Sequence, residues 1–155
     1  MSKAKITAGV IALALPVVMF FEGLVTKPTP DPIGIVSVCY GDTHAEMREY
    51  TPAECKALLV KSLQKHGEAI AHCLPDRLPE HVLAASLSFA YNVGAGAFCG
   101  STMAKKLKAG DILGACAELS RWTFAGGKQL PGLVKRRTVE RAMCEGRPIS
   151  LGVRA

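Results

Sequence analysis

The sequence predicts an α+β domain that is mainly helical and has one small β element near its N-terminus. The 155 residues suffice for one compact domain with a hydrophobic core and are too few for two domains of ordinary size. Hydrophobic residues make up 49% and charged residues 21%, which is the balance of a folded globular protein. Signals for helix starts and stops recur after residue 50, whereas one β-branched run, IGIVSVCY from Ile33 to Tyr40, is typical of strands.

The N-terminal segment is apolar and follows a basic start. Residues Ile6 to Phe21 contain no charge, and Lys3 and Lys5 precede them. As a helix this segment would be about 24 Å long at ~1.5 Å per residue, which spans a hydrocarbon core of about 30 Å only marginally. We therefore expect an export segment that engages the membrane weakly, with its lysines on the cytoplasmic side and the rest of the chain in the periplasm.

Two alternatives remain open for this segment. The Ala-Leu-Ala tripeptide that begins at Ala12 resembles a signal-peptide cleavage site. Cleavage there would leave several apolar residues on the mature chain, so we favour retention of the segment. The other alternative is an ordinary helix of the hydrophobic core.

The cysteine content indicates disulfides. The cysteines are even in number and dispersed, form no CxxC pair and have no histidine at zinc-ligand spacing, which points to an oxidising compartment. This agrees with export to the periplasm, and buried free thiols are the alternative. The spacing leaves the pairing open among Cys39, Cys55, Cys73, Cys99, Cys116 and Cys144.

The region after the apolar segment predicts a loop and then the β element. Residues Thr26 to Gly34, TKPTPDPIG, are rich in proline and have no apolar period, so we expect an extended loop. The β-branched run that follows predicts one or two short strands, closed by Gly41 and Asp42.

The remaining elements are predicted to be helices. Thr51 begins a capping box, with proline at the first helical position, and predicts a helix that extends to about His66. Pro79 opens a second helical stretch that Gly94 stops. Two short helices should follow, capped by serine at position 101 and aspartate at position 111 and ending near residues 108 and 121. A last helix is expected from about residue 133 to residue 144.

Three polar residues near the β element could perform chemistry. Glu22 directly follows the apolar segment, where neighbouring apolar side chains remove water from its carboxyl and favour the protonated form that a general acid needs. Asp31 lies in the proline-rich loop, and glycoside hydrolysis needs two carboxyls on opposite sides of the scissile bond. Ser37 lies in the predicted strand. Each has a structural alternative, since Glu22 can mark a membrane boundary and Asp31 can form a turn.

This pattern resembles the phage lysozymes of glycoside hydrolase family 24. Glu22, Asp31 and Ser37 match that family's order of Glu, eight residues, Asp, five residues, and Thr or Ser at the start of a mainly helical chain. Three further blocks match in order and extend the resemblance over most of residues 22–144: FAYNVGAGAFCGST from Phe89, GDILGAC from Gly110 and RWTFAGGKQLPGLVKRRTVER from Arg121.

The resemblance implies a lysozyme-like fold and a muramidase that hydrolyses the β-1,4 bond from N-acetylmuramic acid to N-acetylglucosamine in peptidoglycan. Glu22 would protonate the leaving oxygen, ionised Asp31 would activate a water on the opposite face, and Ser37 would assist. No metal or organic cofactor is needed, and we expect a monomer. The formal net charge of +6 favours a polyanion, and the resemblance implies peptidoglycan rather than nucleic acid.

The chain departs from the family pattern at two positions. The third catalytic position is usually Thr, and Ser37 keeps the hydroxyl but lacks the methyl that restricts its rotamer, so we expect activity to survive at a reduced level. Asp42 follows Gly41 where the family often has histidine.

Other residues have weaker claims to a role. Asn92 is a candidate contact in the substrate cleft, and Trp122, the only tryptophan, is expected either in the core or stacked on a sugar. Arg136 and Arg137 fit a solvated helix face better than a substrate clamp. We assign no role to the four histidines, which have neither ligand spacing nor a nucleophile partner: His44, His66, His72 and His81.

Because the catalytic acid begins where the apolar stretch ends, the chain also resembles the signal-anchor-release endolysins. This divides it into an anchor segment (1–21), a catalytic domain (22–146) and a flexible tail (147–155). While residues 6–21 lie in the inner membrane, Glu22 is held at the membrane surface and the enzyme is inactive. Release lets part of the segment refold as a helix on the domain. No cysteine precedes Cys39, so refolding rather than thiol exchange is the expected trigger.

Two other activities fit some of these features. A lytic transglycosylase cuts the same bond with one acid and no water-activating aspartate. A membrane-disrupting basic protein would use its charge and its apolar helix, and it would not need Glu22.

Overall fold

The computed structural model describes residues 6–152, which form seven α-helices and two short antiparallel hairpins and confirm the mainly helical α+β class. Lys3 and Lys5, on which the expected membrane orientation depends, and the last three residues of the expected tail lie outside the described range. The described part of that tail has no helix or strand, and Leu151 packs against the core. The elements, in chain order, are α1 (Ala8–Glu22), β1 (Val25–Pro30), β2 (Val36–Cys39), α2 (Pro52–Ile70), α3 (Glu80–Val93), α4 (Ala95–Cys99), α5 (Thr102–Lys108), α6 (Ile112–Glu118), β3 (Phe124–Ala125), β4 (Lys128–Gln129) and α7 (Pro131–Cys144).

The core is built around α3. Its residues from Val82 to Ala90 are all buried, and most of them are alanine or serine, so other helices can approach α3 closely from several sides. The most extensive contacts of α3 are with α1 and α7. Phe89 of α3 contacts Phe98 and Trp122 edge-on, with ring centroids 6.0 and 5.1 Å apart. The central helix therefore fixes the relative positions of the first and last helices.

The apolar N-terminal segment forms α1 and is part of this core. Thr7 caps the helix, because its side-chain oxygen accepts a hydrogen bond from the backbone N–H of Val10 at 3.2 Å. Pro16 lies on the exposed side of the helix, where water can bind the carbonyl that lacks its usual N–H partner. Glu22 is the last residue of the same helix, which is continuous across the expected segment boundary at residues 21 and 22. The fully buried face consists of Val10, Ala14, Val17 and Val18. Of the helices within residues 6–152, none has the length and apolar character needed to cross a membrane.

The β element is an antiparallel hairpin of β1 and β2, in which Thr29 lies opposite Ser37. The strand predicted in the β-branched run is therefore confirmed as β2. The expectation of a loop over residues 26–34 is wrong for its first part, which forms β1. Proline is tolerated in an edge strand, where an N–H that faces solvent needs no partner strand.

The predicted helices are present with small shifts at their ends. Thr51 caps α2 by accepting a hydrogen bond from the backbone N–H three residues on at 3.2 Å, and α2 continues past His66 to Ile70. Gly94 ends α3 as expected, with φ of 93°. The caps predicted at residues 101 and 111 are confirmed, although α6 ends earlier than expected and continues as a 3₁₀ turn. Neither α4 nor the β3–β4 hairpin was predicted.

Three disulfides join these elements, as the cysteine content predicts. They link β2 to α2 (Cys39–Cys55), the turn after α2 to α4 (Cys73–Cys99), and α6 to the end of α7 (Cys116–Cys144). Their sequence separations are 16, 26 and 28 residues. Closing loops of this length is expected to stabilise the fold by about 2–4 kcal/mol for each bridge.

Candidate active site

Glu22 is positioned by the end of α1. The helix stops at Gly23, which has φ of 75° and donates its N–H to the carbonyl of Met19 at 3.0 Å. A residue with a side chain would be strained at this positive φ. Because the buried face of α1 is fixed against α3, the Glu22 side chain is held at the helix end, where it is 22% exposed. The Glu22 side chain is thus half-buried at the end of the helix.

The two oxygens of the Glu22 carboxyl have different surroundings. Oε1 accepts a hydrogen bond from Nη1 of Arg136 at 2.8 Å, and the Arg136 side chain is only 4% exposed. Oε2 faces Gly41, where a Cβ atom would lie 3.2 Å from it. Gly41 has φ of 77°, so both its backbone conformation and this close approach favour glycine. One oxygen is therefore paired with a cation, and the other faces the loop that follows β2.

A groove passes along Glu22. It consists of three adjoining hollows of about 360, 320 and 410 Å³, each within the size range of ligand sites. The first and second hollows share Glu22 and Asn92 as lining residues. The second and third share Asp42, His44, Ser62 and His66. Because Glu22 lies where the first two hollows meet, a chain-like ligand that lies along the groove passes its carboxyl.

Behind Glu22 lies a buried network of charged side chains from α7. Arg136 pairs with Glu22, and its Nε lies 3.7 Å from Oε1 of Glu140. Glu140 also pairs with Arg137, which donates to Oδ1 of Asn92. The side chains of Arg137 and Glu140 are 1% and 0% exposed, and burial lowers the pKa of Arg137 and raises the pKa of Glu140. The expectation of a solvated helix face at Arg136 and Arg137 is therefore wrong, because both guanidinium groups are buried against carboxylates.

Asp31 and Ser37 lie on the β hairpin and are not among the residues that line the three hollows. Oδ1 of Asp31 accepts hydrogen bonds from the N–H groups of Ile33 and Ile35, both at 2.9 Å, and so organises the turn between the strands. Oδ2 of Asp31 accepts no hydrogen bond from the described residues. Asp31 is exposed and Ser37 is half-buried. The hairpin leads directly into the loop that lines the second hollow.

Of the two candidate substrate contacts, Asn92 lies in the groove and Trp122 does not line it. Asn92 is exposed near the C-terminal end of α3. Trp122 packs edge-on against Phe89, and its carbonyl accepts a hydrogen bond from Nε of Arg137 at 3.0 Å. Of the two roles expected for Trp122, these contacts correspond to the core role.

Tyr91 and His66 line the middle hollow, and neither was predicted there. The Tyr91 hydroxyl donates to the carbonyl of Tyr40 at 2.8 Å, and the Tyr91 and His66 rings lie 4.9 Å apart. Burial, together with the negative charges of Glu22 and Asp42, raises the pKa of Tyr91 to about 12. Tyr91 therefore stays protonated at neutral pH and ties the end of β2 to α3.

Asp42 and His44 also line the groove. Oδ1 of Asp42 accepts hydrogen bonds from the N–H groups of His44 and Ala45, both at 2.8 Å. The short carboxylate of Asp42 thereby closes this loop. The spacing of the histidines along the sequence could not reveal their positions, because His44 and His66 lie on different elements.

One group of potential metal ligands occurs in the described part of the chain. His72, Cys73 and Cys99 have ligand atoms within 4.8 Å of one another. Cys73 and Cys99 are joined in a disulfide, however, and a disulfide provides no thiolate for a metal. The geometry therefore does not make this group a metal centre while the disulfide is intact.

Comparison with known proteins identifies relatives along most of the chain. The family model described as phage lysozyme matches residues 19–140. The SAR-endolysin of Bacteriophage PS119 is 45% identical over 150 residues, which cover 91% of this chain and 90% of that protein. Glu22, Asp31 and Ser37 all lie within the residues that the family model matches.

Solved structures share the fold. The endolysin from Escherichia coli O157:H7 phage FAHEc1 has a TM-score of 0.78 at 24% identity, covering 90% of this chain and 92% of that chain. The active form of the P1 phage endolysin Lyz has a TM-score of 0.77 at 20% identity, covering 94% and 96% of the two chains. The secreted inactive form of the same endolysin has a TM-score of only 0.54 at 19% identity, covering 92% and 96%. The arrangement of elements is therefore lysozyme-like and closer to that of the active form.

Proposed function

We propose that this chain, which belongs to the phage lysozyme family, cuts the β-1,4 bond from N-acetylmuramic acid to N-acetylglucosamine. The chain is a phage endolysin, a lysozyme that hydrolyses peptidoglycan. In the proposal Glu22 is the general acid, Asp31 activates a water on the opposite face of the sugar, and the hydroxyl of Ser37 assists. Asn92, which Arg137 holds by a hydrogen bond, binds the sugar chain beside the scissile bond.

The observation that supports this function best is the position of Glu22 in the groove. Oε1 is occupied by the hydrogen bond from Arg136, so the proton to be donated is carried by Oε2, which faces the loop at Gly41. A glycan strand lying along the three hollows passes this oxygen. Protonation of the leaving oxygen by a positioned carboxyl accelerates such reactions by about 10²–10⁴-fold.

The role of Asp31 is supported by its spacing from Glu22 along the sequence, which matches the family pattern, and by the hydrogen bonds that fix its turn. Two backbone N–H groups fix Oδ1 of Asp31, and Oδ2, which accepts no hydrogen bond from the described residues, would bind the water. Ser37 lies on the facing strand, paired with Thr29. We propose that both act on the substrate from the hairpin side of the groove.

The Glu22→Gln substitution tests the acid. Gln keeps an oxygen that accepts the hydrogen bond from Arg136 but has no proton of suitable acidity, so we expect turnover of purified peptidoglycan to fall by about 10²–10⁴-fold when it is assayed below the melting temperature of the variant. Glu118→Gln is the matched control, because Glu118 pairs with Lys106 outside the groove. Activity of Glu22→Gln within tenfold of the parent would contradict the proposal.

Two aspartates provide a matched test of the second carboxyl. Asp31 and Asp42 each use Oδ1 to accept two backbone hydrogen bonds, and asparagine preserves that oxygen while removing the charge. We expect Asp31→Asn to lower turnover by about 10²-fold or more and Asp42→Asn to change it little. The reverse result would assign the second carboxyl to Asp42.

The reaction products distinguish hydrolysis from transglycosylation. Hydrolysis yields reducing ends, whereas a transglycosylase yields anhydro-muramic products and needs no water-activating carboxylate. Mass spectrometry of digested peptidoglycan measures both. Anhydro products together with full activity of Asp31→Asn would replace the hydrolase proposal with the transglycosylase.

We further propose that residues 6–21 anchor the newly exported chain in the inner membrane and that the anchored form is inactive until it is released to the periplasm. The name SAR-endolysin of its relatives supports this. So does the fold, because the side chains that would face lipid include Val10, Val17 and Val18, which are fully buried in the core. Glu22 and its partner Arg136 can meet only when α1 is packed on the domain.

The exposed side of α1 provides a test that leaves the packed face unchanged. Ala8 and Ala12 are exposed, so the double variant Ala8→Leu/Ala12→Leu raises the membrane affinity of the segment without altering the core. We expect more protein in the membrane fraction and later lysis, while Ala8→Gln/Ala12→Gln, the matched control, is found in the soluble fraction. Equal specific activity of the membrane-bound and soluble fractions would contradict the inactive anchored state.

A further inference from the structure

The proposed acid is bound to a guanidinium group that works against its protonation. In the proposed reaction Glu22 has to hold a proton until the leaving oxygen takes it. Arg136, however, donates a hydrogen bond to Oε1 of Glu22 at 2.8 Å from a side chain that is only 4% exposed. A positive charge at this distance favours the ionised carboxylate. Another negative charge that offsets Arg136 is therefore needed for Glu22 to work as an acid.

Glu140 is the carboxylate that meets Arg136 from behind. It lies one helical turn after Arg136 on α7, and its Oε1 is 3.7 Å from Nε of Arg136. That Nε makes no hydrogen bond within the described residues, so Glu140 acts on Arg136 through its charge. Because the Glu140 side chain is fully buried, water screens this charge little.

Stability alone is a weak explanation for Glu140. Buried ion pairs lose much of their attraction to the cost of dehydration, and apolar residues in their place are often equally or more stable. Arg137 also donates a hydrogen bond to Oε1 of Glu140. One carboxylate therefore serves two guanidinium groups, and the cluster on α7 carries one excess positive charge before Glu22 is counted.

We propose that Glu140 is a positioning residue whose carboxylate offsets the charge of Arg136, so that Arg136 holds Glu22 in place without depriving it of its proton. This inference rests on the proposed function, because it requires Glu22 to be the general acid. It also requires Glu140 to be ionised at neutral pH. Burial raises the pKa of Glu140, but the charges of Arg137 and Arg136 oppose that rise. The hydrogen bond from Arg137 further stabilises the carboxylate.

Other titratable side chains face Glu22 from the loop after β2, from α2 and from α3. Those that line the second hollow together with Glu22 are Asp42, His44, His66 and Tyr91. The tyrosine stays neutral, because its pKa is raised to about 12. The other three affect the parent and a Glu140 variant alike. A difference between the pH profiles of these two proteins therefore reports the charge of Glu140.

The test is the pH profile of kcat/KM on purified peptidoglycan, measured for the parent and for Glu140→Gln well below their melting temperatures. Activity falls on the alkaline side as the general acid loses its proton. Without the negative charge of Glu140, Arg136 favours ionised Glu22 more strongly, so we expect the alkaline limb to move by about one pH unit to lower pH. The matched control is Glu118→Gln, which removes the charge of a nearly buried carboxylate outside the groove and should leave the limb in place.

Glu140→Asp separates the charge of this residue from its packing. Aspartate keeps the negative charge but is shorter by one methylene, so it disturbs the packing of α7 as well. We expect the melting temperature and the turnover of this variant to fall. Its alkaline limb should nevertheless lie much closer to that of the parent than to that of Glu140→Gln.

The position of the alkaline limb decides between a role in catalysis and a role in structure. A limb of Glu140→Gln that coincides with that of the parent, even at reduced turnover, would make Glu140 purely structural and overturn the inference. Equal shifts in Glu140→Gln and Glu140→Asp would also overturn it, because the charge would then not be the cause. Full activity of Glu22→Gln would instead contradict the proposed function.

A measurement on the parent covers the case in which Glu140→Gln does not fold. Carbon NMR of labelled glutamate carboxyls follows the ionisation of Glu140 and Glu22 separately as pH is changed. A Glu140 that stays ionised while Glu22 takes up its proton would support the inference. A Glu140 that is protonated at pH 7 would overturn it, because a neutral carboxyl cannot offset Arg136.

Discussion

Replacement of Glu140 by Gln tests whether the buried charges of α7 stabilise the site. Glu140 is fully buried and pairs with Arg137 and Arg136, of which Arg136 holds Glu22 and Arg137 holds Asn92. Gln has nearly the same volume as Glu, so the substitution removes a charge without creating a cavity. Two buried guanidinium groups would then have only Glu22 as a nearby carboxylate.

The expected cost follows from the burial of the partners. Removing one member of a buried ion pair costs about 3–5 kcal/mol, because the remaining charge is left unpaired in a poorly polar interior. For a domain of 155 residues, each kcal/mol lowers the melting temperature by roughly 2–4 °C. We therefore expect Glu140→Gln to melt about 6–20 °C below the parent. This is within the total stability of about 5–15 kcal/mol of natural domains, so the variant should still fold at 20 °C.

The assay is thermal unfolding at pH 7 followed by circular dichroism. Glu118→Gln is the control, because the partners of Glu118 are Lys106 and Arg121, whose side chains are 36% and 77% exposed, so water can solvate them and the substitution should cost less than Glu140→Gln. Activity is then compared well below both melting temperatures, where we expect Glu140→Gln to have lower turnover because Arg136 and Arg137 lose the negative charge that they share. A melting temperature for Glu140→Gln no lower than that of the control would refute the argument.

Three further outcomes are expected. Gly67→Ala should destabilise the fold by about 1–3 kcal/mol, because its Cβ would lie 2.6 Å from Cγ1 of Ile6, and Ile6→Ala in the same chain should recover part of the loss in thermal unfolding. In an ultraviolet titration one tyrosine should ionise only near pH 12, because burial raises the pKa of Tyr91 to about 12; the stability that depends on its protonated form is present below the unfolded pKa of about 10 and lost as pH rises towards 12. The hydrogen bond from Lys106 lowers the pKa of Glu118. The stabilisation from this hydrogen bond is therefore present above the unfolded pKa of Glu118 and is lost as pH falls through its folded pKa. Lys106→Gln should weaken this acid dependence of stability in denaturant titrations.

The helices were predictable because their signals are local. The side chains at Thr51, Ser101 and Asp111 each bind a backbone N–H three residues on, so the cap and the helix it starts occur together in the sequence. The cysteine count predicted disulfides, but not their pairing, because each bridge spans at least 16 residues. β1 was missed because its prolines indicate a loop unless the partner strand is known.

The site was less predictable because its contacts are distant in sequence. Glu22 and Arg136 are separated by 114 positions, and a run of arginines on a helix is usually solvated unless buried carboxylates meet it. Glu140 meets Arg137 on α7 itself, but only the packing of α7 on α3 makes the pair buried. His66 lines the groove because α2 lies beside the loop after β2. Such neighbours cannot be inferred from the spacing of residues along one element.

The apolar face of α1 can be buried in the folded domain or in a bilayer, but not in both at once. In the fold, Val10, Ala14, Val17 and Val18 are buried against the domain, and this packing brings Glu22 to Arg136. In a bilayer, the same side chains would face lipid and the pair could not form. The solvent-facing side carries Leu13, but also Ala8, Ala12 and Pro16, which partition into lipid more weakly than leucine or isoleucine would. The composition of α1 therefore favours the folded helix once the chain has left the membrane, and under the proposed function assembly of the catalytic acid is coupled to that step.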